Sequence, residues 1–160
     1  MAGSLVVGCG HPDRGDDAVG LLVADAIRRA APTVEVLDLL DPLRLVSVVH
    51  DHDLVVAVDA ATGAGPPGTI RVHEVADAPL PVAAARPTST HGFALSDAIE
   101  LCRVAGLPCR LVVVTVTGSR FAVGSAPQDA VRDAVGPAVT HVLDLIEPER
   151  GASLRREGRG

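Results

Sequence analysis

Apolar positions along the chain fall into two alternating kinds of run. Leu5 to Gly8, Val34 to Leu39, Leu54 to Asp59 and Arg110 to Thr117 are short and aliphatic, as strands buried in a sheet are. Between them Asp17 to Ala31 places Val19, Leu22, Val23, Ala26 and Ile27 three and four residues apart, the spacing of one helix face, and Pro32 ends it. Pro42 to Val49 reads as a short helix, His91 to Ala105 as another, and Pro127 to Ile146 as a closing one. Thr69 to Val75 is a strand of mixed character that follows the turn-forming stretch Thr62 to Gly68. That connection is too short for a crossover helix, so this strand is expected antiparallel at the sheet edge. Ala76 to Thr90, with three prolines and little periodicity, reads as a loop. The pattern predicts a three-layer α/β/α fold with a mostly parallel, about five-stranded twisted sheet and one antiparallel edge strand. Residues 1–147 are expected to form a single domain, and the charged segment 148–160 a disordered tail.

Composition narrows the function. The chain of 160 residues is 48% hydrophobic but only 1% aromatic, so the core is aliphatic and no Trp or Tyr is present to stack on a base or sugar. A formal net charge of −6 disfavours a nucleic-acid backbone as partner. No apolar run reaches the roughly 18 residues of a membrane span, and no basic region precedes the short apolar stretch at the start. A cytoplasmic protein is expected. Cys9, Cys102 and Cys109 are odd in number and lack C-x-x-C spacing, which points to reduced thiols and not to a disulfide framework or a thiolate zinc site.

Candidate chemistry falls at the carboxyl ends of the predicted parallel strands, where open α/β sheets bind ligands. The segment Gly8-Cys9-Gly10-His11-Pro12-Asp13-Arg14-Gly15-Asp16-Asp17 leaves the first strand, Asp59 ends the third, and His91 opens the helix ahead of the last strand. Each has a plainer explanation: Asp16 and Asp17 as helix caps, Asp59 as a turn residue, His91 as a satisfied polar group. Yet one acid suffices for a cap, and two carboxylates with an imidazole on one rim suit a borderline divalent cation such as nickel or zinc. A nucleotide or phosphate-binding module is the alternative suggested by Gly8-Cys9-Gly10 at a strand-to-helix turn. Asp13 stands where a dinucleotide fingerprint wants glycine, and Asp16 and Asp17 would repel a phosphate at the helix start. His50-Asp51-His52-Asp53 has the look of a metal cluster but precedes the third strand, so it belongs to the opposite end of the sheet and reads as a solvated turn.

In combination these segments resemble the hydrogenase maturation proteases, over nearly all of residues 4 to 146. The first motif, Gly8 to Gly20, is similar to the family's G-x-G-N, spacer and D-D or D-E; Asp59-Ala60 with Pro67-Gly68-Thr69 is similar to its D-A and P-G-T; Ser89-Thr90-His91 is similar to its T-H or S-H segment. The resemblance implies an endopeptidase that removes the C-terminal extension of a nickel-iron hydrogenase large subunit, with Asp17, Asp59 and His91 as both metal ligands and catalytic residues. It implies further that the nickel arrives in the large-subunit precursor, that zinc or cadmium can occupy the site in vitro, and that the protease is a monomer. Two positions depart from the pattern: His11 replaces Asn, and Leu39-Leu40-Asp41 replaces a Gly-rich turn beside the cleft.

Overall fold

The computed structural model describes residues 3–63, 65–76 and 94–157. In chain order its elements are β1 (Ser4–Cys9), α1 (Val19–Ala30), β2 (Glu35–Leu39), α2 (Leu45–Val48), β3 (Leu54–Ala61), β4 (Ile70–Val75), α3 (Leu95–Ala105), β5 (Arg110–Thr117), α4 (Asp129–Asp133) and α5 (Val135–Glu157), with 3-10 turns at Gly15–Ala18, Pro42–Arg44 and Val49–Asp51. The strands form one sheet in the order β2-β1-β3-β5-β4. Pairing is parallel throughout except that β4 runs antiparallel to β5 at the edge. This is the mostly parallel sheet with one antiparallel edge strand that the sequence pattern predicts.

Alternation along each strand divides the core in two. Val6, Val56, Val58, Val112, Val114 and Val116 face α1 and α5 through Val19, Val23, Ile27, Ala138, Val142 and Ile146. Leu5, Val7, Cys9, Val55, Ala57, Leu111 and Val113 face α2 and α3 through Leu45, Leu95, Ile99 and Cys102. Each such fully buried aliphatic side chain contributes about 1.5–3 kcal/mol relative to exposure. The three cysteines form no disulfide. No helix of the described residues is long and apolar enough to cross a membrane.

The strand order creates a switch point. From β1 the chain crosses over α1 to β2 on one side, then returns through α2 to β3 on the other. The carboxyl ends of β1 and β3 therefore flank the crevice where such sheets take ligands. Helix α1 lies hard against these two strands. A Cβ added at Gly20 would stand 2.2 Å from the Cys9 carbonyl oxygen and 2.3 Å from that of Val58. Only glycine permits that approach.

Three boundaries differ from the sequence pattern. Strand β3 continues to Ala61 because Ala60 and Ala61 still pair with Val116 and Thr117, so Asp59 lies inside the strand, two residues short of its end. Helix α3 starts at Leu95, after an Ala94 in extended conformation, not at His91. The closing helix is two helices, parted at Ala134. Pro137 has no N–H to donate to the Asp133 carbonyl, so it is accommodated in the first turn of a new helix. That helix runs to Glu157, past the predicted end at Ile146. It takes in most of the segment expected to be a disordered tail.

Candidate active site

The chain leaves β1 through Gly10, whose φ is +131°. A Cβ there would fall 1.9 Å from the Asp17 carbonyl oxygen and 3.3 Å from its Oδ1, so the glycine lets the backbone pass directly beside Asp17. Asp17 sits in the turn Gly15–Ala18 and is 2% exposed. Its Oδ2 accepts the His11 backbone N–H at 3.1 Å. That amide is one a phosphate would need at this turn, and a carboxylate occupies it, which removes the basis for the phosphate-binding alternative. His11 itself is exposed.

The two neighbouring acids have separate tasks. Neither the turn nor α1 has a side-chain cap, so helix capping accounts for neither. Asp16, fully buried, accepts at Oδ2 from the backbone N–H groups of Ser119 (2.8 Å) and Arg120 (2.9 Å) and from Gln128 Nε2 (2.6 Å), and at Oδ1 from the Gln128 N–H (2.8 Å). Burial alone would raise its pKa, but these bonds together hold it below the usual carboxylate value. Backbone bonds extend the seam: the Asp16 N–H donates to the Arg120 carbonyl and the Gly15 N–H to that of Ser125. Asp16 thus fastens the loop after β1, which carries Asp17, to the loop after β5.

Asp59 occupies the other flank of the crevice. Its neighbours Val58 and Ala60 face α1, so its side chain faces the α2/α3 side of the sheet. The turn carrying Asp17 packs against β3. Asp59 is buried, and one bond to its carboxyl is present among the described residues, from the Ala60 N–H to Oδ1 at 2.8 Å. Burial in aliphatic surroundings pushes its pKa up to about 7, against a small lowering by that one bond.

The structure therefore brings Asp17 and Asp59 to one rim. His91 lies outside the described residues, four positions before α3 begins. At that helix start the Asp97 carboxylate accepts the Ala94 N–H at 3.0 Å. Among the described residues no group of three or more His, Cys, Asp or Glu side chains is placed to hold a metal. The His50 to Asp53 segment is at the amino end of the sheet, where the Asp53 N–H bonds the Gly3 carbonyl. It is not wholly solvated, however. His52 contacts the Val48 carbonyl through Nδ1 at 2.9 Å and Glu35 Oε2 through Nε2 at 3.1 Å, and its side chain is only 11% exposed.

Two further polar residues at this rim were not singled out from the sequence. Thr115 and Thr117 are buried at the carboxyl end of β5, on the face shared with Asp59, and Thr115 is the register partner of Asp59. The signal for them is the change from valine to threonine on one face of a strand whose other face stays valine.

The family model described as hydrogenase maturation protease, HycI, matches residues 21–145. Among solved structures the chain is similar to the hydrogenase maturating endopeptidase HybD from E. coli, with a TM-score of 0.70, 24% identity, and coverage of 99% of this chain and 94% of that one. It is similar also to the [NiFe] hydrogenase maturation protease HycI from Thermococcus kodakarensis KOD1, with a TM-score of 0.69, 20% identity, and coverage of 91% and 93%. The solution structure of the endopeptidase HycI from Escherichia coli superposes with a TM-score of 0.67 at 19% identity over 88% of both chains. No curated protein sequence matches.

Proposed function

The chain belongs to the hydrogenase maturation protease family, and from that premise we propose that it removes the C-terminal extension of a nickel-iron hydrogenase large subunit after the nickel has been inserted. The observation that carries this reading is the buried Asp59 carboxyl at a switch-point crevice beside Asp17, with little to stabilise its charge. A buried anion without a partner is costly, and a divalent cation is the counter-charge that two carboxylate oxygens fit. His91, through the family resemblance, would add an imidazole. Two carboxylates and one imidazole lack the closed four-ligand shell of a structural zinc site, leaving positions for groups that the precursor brings.

In this reading nickel is part of the substrate. Asp17, Asp59 and His91 engage a precursor only when the metal is present, and that engagement sets the scissile peptide over the β1–β3 crevice. A bound cation there supplies Lewis acidity towards a carbonyl or a water molecule. Asp17 is held in place by the His11 N–H and by the Asp16 seam, and Asp59 by the strand, so neither needs to be ordered when substrate arrives. Zinc or cadmium would occupy the same oxygens in vitro.

The test compares precursor large subunit prepared without nickel and with nickel, each incubated with the purified protease. Loss of the C-terminal peptide is followed by mass spectrometry. Nickel-free precursor is expected to resist cleavage, restored nickel to restore it, and zinc added to the protease alone to have no effect. Equal cleavage of both precursors overturns the requirement for substrate-borne nickel.

A further inference from the structure

The edge strand carries a second polar feature next to Asp59. In the sheet register Asp59 pairs with Thr115, and Thr115 pairs with Arg71 of β4. Register partners share a face, so the three residues form one row on the α2/α3 side of β3, β5 and β4. His73, two residues along β4 from Arg71, lies on the same face as Val75, which packs into the α2/α3 core. The opposite face of β4 is electrostatically closed, because Glu74 accepts from both Nε and Nη2 of Arg110 at 2.7 and 3.2 Å.

On the Asp59 side β4 presents Arg71 and His73. Arg71 is exposed and makes no ion pair among the described residues, whereas Arg28, Arg29, Arg103 and Arg110 are each paired. His73 Nε2 is a buried nitrogen without a hydrogen-bond partner among the described residues. Burial, and then the nearby charge of Arg71, lower the pKa of its ring, so it is neutral at pH 7. A buried nitrogen left without a partner calls for one, and the guanidinium beside it has the fork geometry that receives a carboxylate.

We propose that Arg71, with His73 and Thr115 beside it, forms a subsite that holds a carboxylate of the substrate while the peptide lies across Asp59. The proposal rests on the reading of Asp59 as the site of cleavage. Two strand spacings separate Arg71 from Asp59, roughly 10 Å between Cα atoms, or about three residues of extended peptide. The carboxylate is therefore set about three residues from the bond that is cut. Its source is either the chain terminus of the extension or an acidic side chain within it.

The experiment measures binding and cleavage separately with the full-length protein. The binding probe is a fluorescent peptide spanning the C-terminal region of the precursor, prepared with a free terminus, with an amidated terminus, and with its acidic side chains changed to amides. Arg71→Ala is expected to weaken binding of the native peptide tenfold or more, and Arg71→Lys less. Whichever neutralised peptide removes the recognised carboxylate should bind the wild type as weakly as Arg71→Ala binds the native peptide, with no further loss when both changes are combined. On intact precursor Arg71→Ala should raise KM more than it lowers kcat. Arg132→Ala removes another exposed arginine that makes no ion pair among the described residues, on α4, and should leave binding within twofold. Equal affinity of wild type and Arg71→Ala, or an equal loss in Arg132→Ala, overturns the subsite. Normal cleavage by Asp59→Asn together with the tenfold binding loss in Arg71→Ala would overturn the cleavage reading and keep the carboxylate contact.

Discussion

Replacing Asp59 with asparagine should abolish cleavage and make the protein more stable, by an amount that depends on pH. The substitution keeps the acceptor for the Ala60 N–H and removes only the capacity to carry charge. Burial raises the pKa of Asp59 from 3.8 to about 7 in the folded protein. The folded state therefore holds this proton more tightly than the unfolded state. The stability associated with the group is fully present below pH 3.8, falls as pH rises towards 7, and is constant above that. A rise of that size corresponds to about 4 kcal/mol of destabilisation at pH 8, falling to less than half of that at pH 5. For a chain of this size the pH 8 figure amounts to roughly 8–16 °C in melting temperature. Thermal melts of wild type and Asp59→Asn in EDTA at pH 5 and pH 8 should show the variant ahead at both, with the wider margin at pH 8. A variant no more stable than wild type at pH 8, or equally stabilised at both pH values, would refute the account of Asp59 as a buried carboxyl with one hydrogen bond among the described residues.

Other changes separate structural from functional groups. Asp16→Ala strips four hydrogen bonds from the seam between the loops after β1 and β5. It should lower stability by about 2–4 kcal/mol at pH 7, since hydrogen bonds to a charged acceptor are strong but the freed amides of a surface loop partly rehydrate. Because these bonds lower the Asp16 pKa, the gap between wild type and variant in urea titrations should close as pH drops through and below 3.8. A gap that is the same at pH 3 and pH 7 would show that the carboxylate charge is not what secures the seam. His52→Ala should reduce stability by about 1–2 kcal/mol through its lost contacts with Val48 and Glu35, while exposed His50→Ala should be silent in the same melts. Both variants should process precursor at the wild-type rate, because both residues are at the amino end of the sheet. Loss of processing in His52→Ala without loss of stability would put that cluster back among the functional residues.

Much of the architecture follows from local pattern. The all-aliphatic runs of β1, β3 and β5 declare buried parallel strands, the spacing in Val19 to Ile27 declares an amphipathic helix, and the brevity of Thr62 to Gly68 leaves β4 no route but an antiparallel one. These features need only one segment at a time. The likeness to the protease family was legible in the same way, from short motifs in fixed order. The division of labour between Asp16 and Asp17 was not, because it depends on Ser119, Arg120 and Gln128, more than a hundred residues away in sequence. A carboxylate that receives four donors is a fastener, while its neighbour beside Gly10 takes the His11 amide at the crevice, and nothing in the pair Asp16-Asp17 itself says which is which. The row Asp59, Thr115 and Arg71 likewise comes into being only when three strands take their register, since adjacency across a sheet is set by backbone pairing between segments and carries no mark within any of them. Composition and periodicity determined the kind of fold and the residue types available for chemistry; tertiary packing decided which carboxylates are consumed by structure and which stand at the crevice.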